Sequence, residues 1–235
     1  MGYIIALFFL LAFYILAVWG MKYLNNPKLV NAFASVSVLV LYLCVAYRAY
    51  KSVGFYDWNF QNTLPVANVS PFMFSLMPLS WILPGKVKEY FYRLITLLSF
   101  GMLCSAILSC GFNAARNYAF HFSFLSDYLA HIILSLWGVY LVRSKQVSLK
   151  PRDSVISGSL IVGTALVMLV LNVIFDTSFF GLSLNGKHSI YNVVLVEDSA
   201  LSAVLYISGL VGVLILGYAF NKILNRKNEK GVKMG

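Results

Sequence analysis

The sequence predicts an all-α, polytopic membrane helical bundle of about seven transmembrane helices, and its composition and segment lengths both support this prediction. Of the 235 residues, 60% are hydrophobic and only 11% are charged, whereas a soluble domain carries about 25% charged residues. The apolar residues are grouped in segments of about 20 residues, which is the length that an α-helix needs to cross a bilayer. Residues 1–235 are therefore predicted to form a single transmembrane helical domain.

Seven apolar segments meet this length requirement. In chain order, they lie at 3–21, 29–47, 64–84, 93–111, 124–142, 155–175 and 199–220. The first segment is predicted to remain as a helix, because its basic residues, Lys22 and Lys28, follow the apolar run, whereas those of a signal peptide precede it. The basic tail after Asn221 is predicted to fray.

The distribution of basic residues predicts the orientation of the helices. Cytoplasmic loops of membrane proteins carry an excess of Lys and Arg. If the C-terminus is cytoplasmic and the N-terminus is outside, fourteen of the 18 basic residues fall on the inner side and four on the outer side. The four outer residues are Arg48, Lys51, Arg116 and Lys187. The same arrangement explains the net charge of +10 as loop charge that faces lipid, so nucleic acid is not an expected partner.

The third segment is predicted to be kinked. It holds four of the six prolines, at positions 65, 71, 78 and 84. Each internal proline removes a backbone donor and frees a carbonyl group, which must then bond to a neighbouring helix or to water. Such a kink either shapes the bundle or forms a cavity wall, with Asn68 and Ser70 near its outer end. Elsewhere, small residues four apart, at 101 and 105 and at 208 and 212, indicate close helix packing.

Ionisable residues of the fifth segment form the main candidate site. Asp127 and His131 are four residues apart and therefore lie on one face of a helix. His131 lies about 10 Å deep, and ionisable groups inside the membrane are functional candidates because a charge there is costly. The alternatives are a packing hydrogen bond for His131 and a helix cap in headgroup water for Asp127. His121 and Asn172 are further candidates for the lining of an outward-facing pocket.

The sequence shows no pattern for a metal or cofactor. No phosphate loop, GxSxG or HExxH is present, and no cofactor is predicted. The three cysteines lie in apolar segments without CxxC spacing, so neither a disulfide framework nor a metal site is expected. They are Cys44, Cys104 and Cys110.

Two groups of motifs resemble a known family. Leu64-Pro65 and the stretch from Asn68 to Phe72, with His121-Phe122 and the stretch from Tyr128 to His131, resemble bacterial YwaF-type membrane proteins, which are related to the eukaryotic transmembrane protein 164 group. The likeness covers about residues 60–180. It implies a multi-pass protein of the bacterial plasma membrane.

The resemblance also implies a reaction and its residues. The eukaryotic members are described as acyltransferases that move fatty acyl chains between phospholipids, using a cysteine on the third helix and a histidine on the fifth. The histidine matches His131. The stretch from Val66 to Val69 has no cysteine, which leaves Ser70 or water as the predicted nucleophile.

Three hypotheses about function follow from these observations. The first is a lipid-active enzyme with His131 as general base, Ser70 as nucleophile and Asp127 as the partner of His131. Asn68, Asn172 and His121 would then contact a substrate with acyl chains. The second is a binding or transport protein for a small or amphipathic ligand, and the third is a non-catalytic subunit that contacts a membrane-protein partner through 199–220. Membrane lipid is an expected partner in all three.

Overall fold

The computed structural model describes residues 2–50, 69–114, 122–175 and 199–231, together with Thr177, Phe179 and Leu182. Regular structure within these residues is helical throughout, which confirms the predicted all-α class. The α-helices are α1 (Gly2–Gly20), α2 (Pro27–Tyr50), α3 (Val69–Leu76), α4 (Gly85–Ala114), α5 (Phe122–Arg143), α6 (Pro151–Phe175) and α7 (Ser199–Gly231). Short 3₁₀ turns, Met21–Tyr23 and Met77–Trp81, follow α1 and α3.

Five of these helices are long and apolar enough to cross a membrane. The segments are Pro27–Tyr47, Gly85–Leu108, Leu125–Arg143, Pro151–Phe175 and Val204–Leu224. A shorter apolar helix, Leu7–Tyr23, lies at the start of the chain. Within the described residues, the second, fourth, fifth, sixth and seventh predicted spans thus each contain a helix of sufficient length.

The third predicted span, which was expected to be a kinked helix, is divided into an α-helix and a 3₁₀ turn. In its described part, α3 ends at Leu76 and the 3₁₀ turn Met77–Trp81 replaces the α-helix. Pro78 causes this change, because it has no N–H to donate and its ring clashes with the carbonyl group four residues earlier. The hydroxyl of Ser35 on α2 donates to the Pro78 carbonyl at 2.5 Å, as expected for a carbonyl group at a helix break inside a membrane.

Helices α4 and α7 are longer than predicted. Helix α4 begins at Gly85, so the basic stretch Lys86–Arg93, expected to be a loop, is helical. Helix α7 continues to Gly231, through most of the tail that was expected to fray. Lysine, arginine and glutamate are good helix formers, and their charges therefore do not end a helix that continues beyond the hydrocarbon.

Helices α4 and α5 form the centre of the bundle. Their apolar segments are 56% and 67% buried, whereas those of α2, α6 and α7 are 17–28% buried. Gly138 brings α5 against α4: a Cβ atom at this position would lie 2.8 Å from the Ile95 carbonyl oxygen. Gly217 brings α7 against α4 in the same way, at Leu97. Small residues thus permit the backbone approach that apolar packing in lipid requires.

A chain of hydrogen bonds connects α1, α5, α4 and α7 in the interior. Tyr14 contacts the Ser135 hydroxyl at 2.9 Å, and Ser135 donates to the Ser99 carbonyl at 2.6 Å. The side-chain amide of Asn221 donates to the Ser99 hydroxyl and to the Thr96 carbonyl, both at 2.9 Å. The buried donors of Tyr14, Ser135 and Asn221 thus each find an acceptor, which is what a low-dielectric interior demands.

Candidate active site

The structure places Ser70 of α3 beside His131 of α5. The Ser70 hydroxyl oxygen lies 3.1 Å from His131 Nε2, within hydrogen-bond distance. The two residues are 61 positions apart in the chain, so the contact depends on the packing of α3 against α5. A hydroxyl hydrogen-bonded to an imidazole is the arrangement of an activated serine nucleophile.

The contact of the second ring nitrogen, Nδ1, determines the tautomer of neutral His131. Nδ1 lies 2.9 Å from the backbone carbonyl oxygen of Asp127, one helical turn earlier. A carbonyl oxygen can only accept, so Nδ1 carries the hydrogen in the neutral ring. Nε2 therefore presents its lone pair to Ser70 and can accept the hydroxyl proton, as a general base must.

Asp127 contributes a second oxygen on the same side of the ring. Its carboxylate oxygen Oδ1 lies 3.8 Å from His131 Nδ1, which is too far for a good hydrogen bond but close enough for a charge interaction. The carboxylate would stabilise the imidazolium that forms when Nε2 takes a proton. The backbone carbonyl orients the ring, and the carboxylate acts electrostatically.

Burial and an aromatic contact hold the imidazole in place. His131 is only 5% exposed and thus faces the interior of the bundle, away from the lipid. The Phe74 ring meets the imidazole edge to face, with ring centres 4.7 Å apart. Sequence reasoning missed Phe74, although it lies one turn after Ser70 and therefore on the same face of α3.

Asn172 lies in a separate polar contact. Its side-chain amide donates to the carbonyl groups of Phe179 and Leu182, and its oxygen accepts from the Thr177 hydroxyl at 2.8 Å. It therefore holds Thr177, Phe179 and Leu182 beside the end of α6, and a contact between Asn172 and substrate stays a prediction. The positions of Asn68, His121 and the Cys110 side chain lie outside the described residues.

Comparison with known families decides the relationship. A sequence profile of the TMEM164 family matches residues 1–220. The chain belongs to the TMEM164 family. Together with the apolar helices, this membership makes it a multi-pass integral membrane protein. No curated protein and no solved structure matches the chain significantly.

Within this TMEM164 family member, three of the six predicted site residues converge. Ser70, His131 and Asp127 come from α3 and α5 and form one connected group. A nucleophile, a base and a carboxylate in this order can carry acyl transfer chemistry. The group is recognised by its geometry and by the roles that its atoms can take.

Proposed function

We propose that this TMEM164 family member is a membrane enzyme that transfers an acyl chain between phospholipids through Ser70. The observation that carries the proposal is the 3.1 Å contact between the Ser70 hydroxyl and Nε2 of the buried His131. The Ser70–His131 pair lies on apolar helices, which suits a substrate whose acyl chains already lie in the bilayer. The family resemblance supports the acyl substrate, and Ser70 takes the role of the absent cysteine.

The reaction has two steps. In the first, His131 Nε2 takes the Ser70 proton while the Ser70 oxygen attacks the carbonyl carbon of a phospholipid ester. The ester C–O bond breaks, the lysophospholipid leaves with the proton from His131, and the acyl group remains on Ser70. In the second, the hydroxyl of another lysophospholipid gives its proton to Nε2 and attacks the acyl-serine, which returns the proton to Ser70.

Replacing the nucleophile tests this proposal. We expect Ser70→Ala to lower acyl transfer from a labelled phospholipid by about 10³-fold or more, as loss of a nucleophile does elsewhere. Ser70→Cys should retain turnover, because a thiol at the same position can form a thioester. The variant should then lose activity on thiol alkylation. Wild type, which already holds Cys44 and Cys104, serves as the alkylation control.

The outcomes separate the proposal from its alternatives. Full activity in Ser70→Ala would exclude an acyl-serine intermediate. Ligand binding or uptake in proteoliposomes without any transfer product, in wild type and variant alike, would favour a binding or transport protein. Co-purification of a constant partner, again without product, would favour a subunit of a membrane complex.

We also propose that the protein is a bacterial YwaF-type member of the family, located in the plasma membrane with its N-terminus outside and its C-terminus in the cytoplasm. The excess of basic residues on one side of the alternating loops supports this orientation. A reporter that works only in the cytoplasm should be active when it is fused after Gly235. A periplasmic reporter that is active at the same position would reverse the orientation.

A further inference from the structure

A polar cavity lies between the first turns of α4 and α6, away from Ser70 and His131. Its volume is about 280 Å³, and it is lined mainly by Lys86, Glu89, Tyr90, Arg93, Asp153 and Ser157. These residues take no part in the Ser70–His131 contact. The ion pair between Arg93 of α4 and Asp153 of α6 shows that the starts of the two helices lie side by side.

An ion-pair network forms one wall of the cavity. The Arg93 guanidinium donates to Asp153 Oδ1 at 2.9 Å and to Glu89 Oε1 at 2.5 Å. Asp153 is only 5% exposed, and its other oxygen accepts the Lys150 backbone N–H at 2.7 Å. Arg93 thus neutralises the buried Asp153. Glu89 is half exposed, so a bound anion can take its place as a partner of Arg93.

Basic residues outnumber acidic residues around this network. Helix α4 contributes Lys86, Lys88 and Arg93, and the start of α6 adds Lys150 and Arg152. Only Glu89 and Asp153 oppose these five charges. Lys86 lines the cavity and is exposed, whereas both carboxylates of the lining are already bound by Arg93. An anion is therefore favoured over a cation.

Exposed apolar side chains lie beside the polar residues of the cavity. Val87 is 52% exposed and Ile156 is 53% exposed, one on each helix that forms the cavity. An anion bound here would have apolar surface beside it on the membrane side. A phospholipid satisfies both requirements, because its phosphate is anionic and its chains extend into the hydrocarbon.

We propose that the α4–α6 cavity binds the phosphodiester headgroup of an anionic phospholipid. Lys86 contacts the phosphate from the rim, and Arg93 offers guanidinium N–H groups from the wall. Basic pockets between membrane helices are known to accept such headgroups. The site is independent of the proposed acyl transfer.

Native mass spectrometry of the full-length protein in detergent tests the site, with phosphatidylglycerol and phosphatidylcholine as probes. We expect the protein to bind phosphatidylglycerol more tightly than phosphatidylcholine, because only phosphatidylglycerol carries a net negative charge. Lys86→Gln should weaken its binding about fivefold, since one lysine near anionic lipid contributes about that factor. Glu89→Gln should strengthen binding, because it removes a negative charge from the lining of the cavity.

Lys28→Gln is the matched control, because Lys28 is an exposed lysine at the start of α2 and is predicted to lie on the same side of the membrane as Lys86. It should leave binding unchanged. An equal loss in Lys28→Gln and Lys86→Gln would reduce the effect to general surface charge and overturn the site. Equal binding of the two lipids, or competition by inorganic phosphate alone at the lipid's concentration, would also overturn a phospholipid site.

Discussion

Replacing His131 by Ala or Asn should abolish phospholipid acyl transfer, with a loss of about 10³-fold or more. Both variants remove the nitrogen that accepts the Ser70 proton, and Asn retains an N–H donor that can reach the Asp127 carbonyl. Because His131 is buried, Ala leaves a void that lowers the melting temperature for structural reasons alone. Asn separates the two effects, since it should keep the fold and still lose the reaction. Turnover is measured with a labelled acyl donor and stability by thermal melting in detergent.

Asp127→Asn provides the comparison for this prediction. The hydrogen bond that orients His131 goes to the backbone carbonyl of Asp127, which the substitution retains. Only the charge at 3.8 Å is lost, so we expect a decrease of about tenfold, far less than at His131. An Asp127→Asn variant as inactive as His131→Asn would show that the carboxylate, and not the carbonyl group, holds the ring. Unchanged turnover in His131→Asn would remove the basis for an enzyme.

Part of this site could be predicted from the spacing of its residues along one helix. Asp127 and His131 are one turn apart, and the period of a helix alone places them on one face. The contact with Ser70 required more information, since it depends on how α3 packs against α5. The family resemblance supplied that link, and spacing within one segment could not have done so.

Packing at prolines and glycines was harder to predict. The four prolines indicated an irregular third span, but a 3₁₀ turn and a kinked α-helix fit the same sequence. Small residues four apart drew attention to Gly101 and Gly212. The structure brings Gly101 against Val213, while a Cβ atom at Gly212 would meet nothing within 4 Å. The close approach at Gly217 carries no such pattern, because the residues four positions away, Val213 and Asn221, are not small.

Gly217→Ala should therefore cause the largest loss of stability among the glycine substitutions in α7. A Cβ atom there would overlap the carbonyl oxygen of Leu97, a backbone atom of α4 that cannot turn away as a side chain can. The two helices must separate, which breaks the packing around them. We expect a cost of about 3 kcal/mol or more, seen as a lower melting temperature in detergent.

Gly212→Ala in the same helix is the matched control. It adds the same methyl group where the structure leaves open space, and alanine favours a helix more than glycine does. The melting temperature should stay the same or rise slightly. A similar decrease in both variants would mean that α7 tolerates no added methyl group at all. Stability unchanged in Gly217→Ala would contradict the close packing of α7 on α4. Asn221 of α7 also donates hydrogen bonds to Thr96 and Ser99 of α4, so that result would contradict these bonds as well.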